Sequence, residues 1–359
     1  MTEIYKHQFP APRFLAMPSC AIDISDQSIK YGELIPSSSG LVVGRYGQKR
    51  IPDGIVVSGK INNPDALVVL LKELRQSENL NFIRVSLPEE QMYLFTLALP
   101  ILPYDEIRET VLLQLEEHIP ITASEAVFDC DIISTKGEIM NVQVLATSAS
   151  LIGSYLSVFS HSGLLPLSFE LESQATARAV CDAHEDTAVM IVDFGETRTG
   201  ISIAYHDRVY FTSTFDMGGK VLTSMIAKNF SVSMEEAEKM KKSYGSTGSG
   251  KENEFFSVIL SILSVLRDEL QKDCLYWHSH NGEDGEPRPK IEKIILCGGD
   301  SNLVGISEYI SGSMKIPVEH ANAWKNITDI NTTIPKMTYK ESLSFTTVLG
   351  LCLGDFTSI

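Results

Sequence analysis

The order of apolar and polar positions separates two kinds of segment in this 359-residue chain. Short runs that are apolar almost throughout, such as 188–192 (AVMIV) and 82–87 (FIRVSL), read as buried strands. Longer runs repeat at helical spacing. Ile107, Val111, Leu115 and Ile119 mark an amphipathic helix over 105–119 that Pro120 stops. Ile259, Leu263, Leu266 and Leu270 mark a long core helix over 254–277. In chain order the pattern predicts a hairpin over 20–34, further strands over 40–57, a helix over 64–75, and strands over 82–87 and 91–99. Pro100 and Pro103 read as a linker into the 105–119 helix, two strands (126–134 and 140–146), and a helix over 150–162 closed by Gly163. A helix over 169–183, a hairpin over 188–204 and a strand over 209–214 follow, then helices over 220–229 and 234–244 before the long helix. The chain finishes with a strand ending at Gly298, a helix over 303–313, a strand over 316–319, an irregular stretch to Lys340, and an apolar helix over 342–354 that packs back on the first half. Residues 1–18, with three prolines, read as an irregular arm. Alternating strands and helices place the chain in the α/β class.

Candidate chemistry sits where strands end. The strand over 188–192 runs into Asp193; Gly195 follows two residues later, then a polar turn and a second strand. A glycine there lets backbone approach a ligand, and consecutive turn N–H groups form a concavity for phosphate oxygens. An Asp at the strand end can hold a water of a phosphate-bound Mg²⁺. One such hairpin also describes an ordinary surface turn, but the pattern occurs twice. Over 20–34 an apolar strand reaches Asp23, with Ser25 two residues on, a polar turn and a second strand. The repeat predicts a duplicated domain whose two hairpins clamp phosphates across a cleft. A third element, the strand before Gly298 and Gly299, leaves room for a base or sugar against backbone, or is simply a strand-to-helix turn.

Together these elements resemble the actin-like ATPase fold, and more narrowly the PilM family of type IV pilus assembly. The likeness runs in order through AIDISDQSIKYGEL (21–34), LEEHIP (115–120), GLLPLSFELESQATARA (163–179), MGGKVLTSMIA (217–227), SMEEAEKMKKSYG (233–245) and VLGLCLG (348–354). It implies duplicated RNase H-like domains forming two lobes around a nucleotide cleft, with small inserted subdomains. The first large subdomain is expected over 1–98 with 164–185 and 341–359, and an inserted α/β unit over 99–163. The second large subdomain is expected over 186–218 with 290–340, and a mostly helical second small one over 219–289. The resemblance implies ATP and Mg²⁺ as ligands. It carries nucleotide contacts onto Asp23, Ser25, Asp26, Ser28 and Lys30 of the first hairpin and Asp193, Gly195, Thr197, Arg198 and Thr199 of the second. It adds Gly218 and Gly219, whose helix offers free N–H groups, Glu238 and Lys241 at the nucleoside, and Gly298, Gly299 and Asp300. Asp23 and Asp193 would hold Mg²⁺ through water. Glu172 would orient a water towards the terminal phosphate, as base or hydrogen-bond acceptor, unless it is a solvated glutamate favoured by a helix dipole. Glu238 and Lys241 read equally as part of a solvated charged face.

The implied partner is the N-terminal cytoplasmic tail of a PilN-like membrane protein, in a groove between the first large subdomain and the inserted unit. Other pilus platform proteins or self-association are further implied contacts. Three positions depart from the family pattern. Ser25 replaces a glycine, Asp300 replaces a third glycine and adds negative charge, and Arg198 replaces a threonine and either pairs with phosphate or faces solvent. Slow or absent hydrolysis is the expectation.

Composition narrows the alternatives. A formal net charge of −16 argues against nucleic acid and against polybasic membrane attachment. No run of about 18 apolar residues is present, and the first residues lack the apolar stretch of a secretory signal. Six scattered cysteines without a C-x-x-C read as small buried hydrophobes in a reducing cytoplasm. Residues 245–252 (GSTGSGKE) nearly spell a P-loop, but a charged helix precedes them and Glu252 stands where Ser or Thr would bind Mg²⁺, so they read as a connector and Lys251 takes no role. His278 and His280 lack a third ligand and read as loop histidines. The competing function is a sugar or acetate kinase of the same superfold; it requires a substrate base after the first hairpin and a second polar pocket, and neither stands out.

Overall fold

The computed structural model describes residues 19–37, 40–243, 252–282, 285–328 and 333–357. The N-terminal arm and the P-loop-like stretch 245–251 lie outside them. β1 (Ser19–Ile24), β2 (Ser28–Ser37) and β3 (Gly40–Arg50) form an antiparallel meander. Two short strands, β4 (Val56–Val57) and β5 (Lys60–Ile61), precede α1 (Pro64–Glu78). Asn63 caps α1 by accepting the Ala66 N–H, Pro64 sits where no donor is needed, and Asn79 ends it in the left-handed conformation. β6 (Phe82–Leu87) then lies parallel to β1.

The inserted unit differs from the expectation at both ends. β7 (Met92–Pro100), α2 (Tyr104–His118), β8 (Ala126–Lys136) and β9 (Ile139–Ser148) build a three-stranded sheet in the order β7-β9-β8, packed on α2. Residues 91–99 were expected in the first large subdomain; their hydrogen bonds go instead to β9. α3 (Ala149–Ser162), expected within the insertion, sends Leu151, Tyr155 and Phe159 into the core formed by Leu67 and Leu71 of α1 and Ile83 of β6. Helical spacing announces an apolar stripe, not which sheet it covers. The Gly163 stop holds, with φ 76°. Gln143 Nε2 donates to the Val209 carbonyl (2.7 Å), and Arg208 reaches Gln143 and Asp131, so the small sheet is also fastened to the second lobe.

β10 (Leu165–Leu171) was not anticipated; the predicted helix over 169–183 begins only at α4 (Glu172–Val180). β10 is the parallel edge strand beside β6, which tolerates Pro166. The second lobe repeats the plan: β11 (Ala188–Phe194), β12 (Thr199–Tyr205) and β13 (Arg208–Phe215) form the meander. α5 (Gly219–Phe230), α6 (Met234–Ser243) and α7 (Glu252–Ser279) follow, then β14 (Ile291–Cys297), α8 (Ile306–Met314) and β15 (Val318–His320). Ser233 caps α6: its Oγ accepts the Glu236 N–H. The two five-stranded sheets, β10-β6-β1-β2-β3 and β15-β14-β11-β12-β13, have one topology, so the duplication read from two hairpins extends to whole lobes.

A pair of helices joins the lobes. α9 (Thr346–Thr357) crosses α4 and packs on β1 and β2, as expected for the last segment. Thr176 and Thr347 share a hydroxyl hydrogen bond (3.0 Å), Arg178 donates to the Gly350 carbonyl (2.9 Å), and a Cβ on Gly350 would overlap the Ala175 carbonyl. Among the described residues no helix is long and apolar enough to cross a membrane. Gly350→Ala is expected to force the two helices apart and destabilise the fold by about 1–3 kcal/mol, the cost of overpacking. A lower urea midpoint at unchanged slope is the check; an unchanged midpoint refutes the close crossing.

Candidate functional site

Asp23 ends the central strand of one lobe and Asp193 the central strand of the other, and both line one cavity of about 690 Å³ between the lobes. They sit in matching registers: Asp23 pairs with Lys30 across its hairpin, Asp193 with Gly200. Ser86 donates to Asp23 Oδ1 at 2.7 Å, which fixes that carboxylate. Burial pushes Asp193 up, the Lys30 ammonium opposes this, and Asp23 adds to it.

The turns differ. In the first, the Ser25 N–H donates to the Ser28 carbonyl and Ser25 Oγ accepts the Ser28 N–H (3.1 Å), so the serine closes its own hairpin. In the second, the Gly195 N–H bonds the Arg198 carbonyl (3.0 Å). Ser25, Ser28, Lys30, Gly195, Thr197 and Arg198 line the cavity; Asp26 and Thr199 do not. Asp26 accepts the Ser58 and Gly59 N–H groups, and the Thr199 hydroxyl donates to the Met217 carbonyl. Arg198 does not face solvent. Its guanidinium crosses to the first lobe and pairs with Glu90 and with Asp26 (3.4 Å). Those charges hold it above the ordinary arginine value despite its burial.

Gly218 and Gly219 are packing glycines on this geometry. The Gly219 and Lys220 N–H groups donate to the Gly195 and Glu196 carbonyls at 2.9 and 2.7 Å, so they are not the free donors expected of this helix start. A Cβ on Gly219 would overlap the Asp300 carboxylate, and one on Gly218 the backbone of Gly195 and Glu196. Gly298 (φ 90°) likewise makes room for Asp193 and Phe194; only Gly299 and Asp300 of that element reach the cavity. Asp300 does not add a bare charge. Lys241 pairs with it at 2.6 Å and with Glu238 at 2.9 Å, and this buried lysine does not line the cavity. Glu238 does, held by the Thr223 hydroxyl at 2.6 Å. Neither side chain belongs to a merely solvated face.

Glu172 opens α4 on the cavity wall, partly buried. Burial raises its carboxyl well above the usual range against the pull of Arg198, and Glu89, Asp23 and Glu90 raise it further. Several wall residues were missed by the sequence reading. Glu89 is buried there, raised to about 8 by burial and by the charges of Asp193 and Glu90, with Ser173 and Arg198 opposing. At the rim, Arg50 of the first lobe pairs with Glu196 (2.9 Å) and Lys220 of the second with Asp53 (3.3 Å). A search at the carboxyl end of each parallel strand would have found Glu89; the rim pairs carry no local signal.

Acidic side chains outnumber basic ones on the wall. Among the described residues no three acidic, histidine or cysteine side chains are arranged to hold a metal by themselves. Asp23 and Asp193 therefore suit a hydrated divalent cation that arrives on phosphate oxygens rather than a protein-caged ion.

Two acid-tipped hairpins from lobes of equal topology, facing one cleft, define an actin-like ATPase fold. The family model described as type IV pilus assembly protein PilM matches residues 21–356, and the chain belongs to that family. Solved structures with this fold include the PilM-PilN type IV pilus biogenesis complex, at 21% identity over 94% of this chain and 98% of that one (TM-score 0.77). The ethanolamine utilization protein EutJ from Carboxydothermus hydrogenoformans matches at 15% identity over 96% and 91% (TM-score 0.54). MreB5 of Spiroplasma citri bound to ADP matches at 13% identity over 96% and 97% (TM-score 0.55).

The raised carboxyls link stability to pH. The folded protein keeps protons on Glu89 and Glu172 that the unfolded chain, with its carboxyls near 4.5, releases as pH rises. This contribution is complete below pH 4.5 and is lost as pH rises towards about 8 for Glu89, at up to about 1.4 kcal/mol per pH unit per group. Urea midpoints of the ligand-free protein are expected to fall from pH 5 to pH 8, less steeply in Glu89→Gln. A slope that Glu89→Gln leaves unchanged contradicts the assignment.

Proposed function

We propose that this chain is an ATP- and Mg²⁺-binding adaptor of the type IV pilus inner-membrane platform. The observation that carries the reading is the convergence of Asp23 and Asp193, from opposite lobes, on one cavity. In it, the cavity-lining hairpin residues would contact the phosphates, and Glu238 the nucleoside. Mg²⁺ bound with the nucleotide would neutralise phosphate charge, which this acidic wall otherwise repels. The two carboxylates would accept hydrogen bonds from its water shell. One protein of the same fold, solved bound to ADP and again bound to AMPPNP, supports a nucleotide in the cleft.

The adaptor's partner would be the N-terminal cytoplasmic tail of a PilN-like protein, held between the first lobe and the inserted unit; the likeness to a PilM-PilN complex supports this. That partner would keep the chain at the cytoplasmic face of the inner membrane. Hydrolysis is slow or absent on this reading, in which the nucleotide holds the lobes in one arrangement and so sets the partner's affinity.

Isothermal titration is expected to show Mg-ATP binding that EDTA abolishes and Asp193→Ala weakens by about tenfold or more, the loss of one charge-assisted contact; unchanged affinity in Asp193→Ala removes the metal role. A PilN-like N-terminal peptide should bind with an affinity that changes when Mg-ATP is present, and failure to bind any such peptide removes the adaptor role. Lys251→Ala should leave Mg-ATP affinity unchanged, whereas a large loss would restore the P-loop.

A further inference from the structure

The two rim ion pairs are not separate contacts. β3 ends at Arg50, and the next residue, Ile51, donates its N–H to the Gln27 carbonyl (2.8 Å), which lays the chain after β3 on the tip of the first hairpin. Gln27 is 7% exposed, and both ends of its side-chain amide are used. Nε2 donates to Asp53 Oδ1 at 2.8 Å, and Oε1 accepts from Arg50 Nη2 at 3.2 Å. Each of these first-lobe charges then crosses the cleft, Arg50 to Glu196 (2.9 Å) and Asp53 to Lys220 (3.3 Å). In the second lobe the Lys220 N–H donates to the Glu196 carbonyl at 2.7 Å, so the run of contacts closes into a ring. The Gln27 amide, and after it Lys220, hold Asp53 below the usual carboxylate range. All five residues line the cavity, yet the side chains of Arg50 and Asp53 are 68% and 73% exposed. The ring therefore stands where the cavity meets solvent. An exposed ion pair alone is worth little. Here the buried amide fixes both charges on one side and the backbone bond ties together their partners on the other, and a connected network exceeds the sum of its pairs.

We propose that the ring of Gln27, Arg50, Glu196, Lys220 and Asp53 is a gate over the phosphate end of the cleft, and that a nucleotide enters and leaves only when the ring parts. This rests on the nucleotide reading above. Gln27 adjoins Ser28 in the first hairpin and Glu196 adjoins Gly195 and Thr197 in the second, and all of these line the cavity, so the ring lies directly outside the place of the phosphates. Arg50 and Lys220 are long, exposed side chains that swing into solvent by changing rotamer, so parting needs no rotation of the lobes. The ring is built from the chain's own groups alone and adds equally to the free and the bound protein. It therefore slows entry and release by one factor and leaves affinity alone. The signs of the charges separate this from direct attraction of the ligand. Cations that draw in phosphate and acids that repel it act in opposite directions, whereas a gate is weakened by the loss of either sign.

The test uses the full chain and the stopped-flow entry and release rates of Mg-ATP carrying a fluorescent group on its ribose. Arg50→Met and Asp53→Ala remove opposite charges. Both should speed entry and release by about two- to fivefold, the range for an exposed pair, with affinity within about twofold of wild type. Gln27→Met breaks the ring without changing any charge and should do the same; the two exposed variants carry the test if it does not fold. Wild-type release should quicken as NaCl rises from about 0.05 to about 0.5 M, because salt screens exposed charges. Wild-type rates in Arg50→Met or in Asp53→Ala, slower entry in Arg50→Met beside faster entry in Asp53→Ala, lost affinity without faster entry, or wild-type release that salt leaves unchanged would each overturn the gate. A wild type that does not bind Mg-ATP at all would overturn the nucleotide reading and the gate built on it.

Discussion

The cleft exists as built because a guanidinium from one lobe is buried among carboxylates of the other. Asp23, Glu89, Glu90, Glu172 and Asp193 crowd the same region, and burying that much negative charge is costly. Arg198 answers it from the second hairpin, pairing with Glu90 and Asp26. Asp26 in turn holds the N–H groups of Ser58 and Gly59, so the ion pair is tied to the backbone of the first lobe. Burial of the remaining carboxyls is then less costly because it raises Glu89 and Glu172 above the usual carboxylate range, so that they give up their protons less readily than exposed carboxyls. A buried ion pair contributes little net stability, but it fixes which surfaces meet. Here it sets the two hairpins opposite each other.

Much of this was legible because strong local signals coincided. Unbroken apolar strands ending in Asp, twice, gave both the duplication and the cleft-facing acids. The less legible parts depend on which segments become neighbours. Glu89 follows a strand that only the sheet order sets beside β1 and β10. The amphipathic pattern of α3 does not say that its stripe covers the first lobe and not the inserted sheet. Pro166 interrupts β10 and hid an edge strand.

The glycine pairs were read as ligand contacts for a sound reason, since Gly-Gly before a helix often meets phosphate. Gly218 and Gly219 are instead occupied by the second hairpin's carbonyls and by Asp300. The same requirement for absent side chains arises from backbone-on-backbone packing. Lys241 and Asp300 make a related point: each looked like a separate ligand contact or liability in the sequence, and together they neutralise each other beneath the cavity wall. A charge in a sequence acquires meaning only with its counterion.

The inserted sheet leaves and rejoins the chain in the first lobe, yet Gln143 grips the Val209 carbonyl and Arg208 grips Gln143 and Asp131. It is thus a strut spanning the molecule on a path separate from the α4–α9 crossing. Two such connections leave a rotating lobe no free swing: turning it must either shear these bonds or tilt the strut. Whatever sits on that sheet would feel the tilt as torque, with no moving loop needed to relay it.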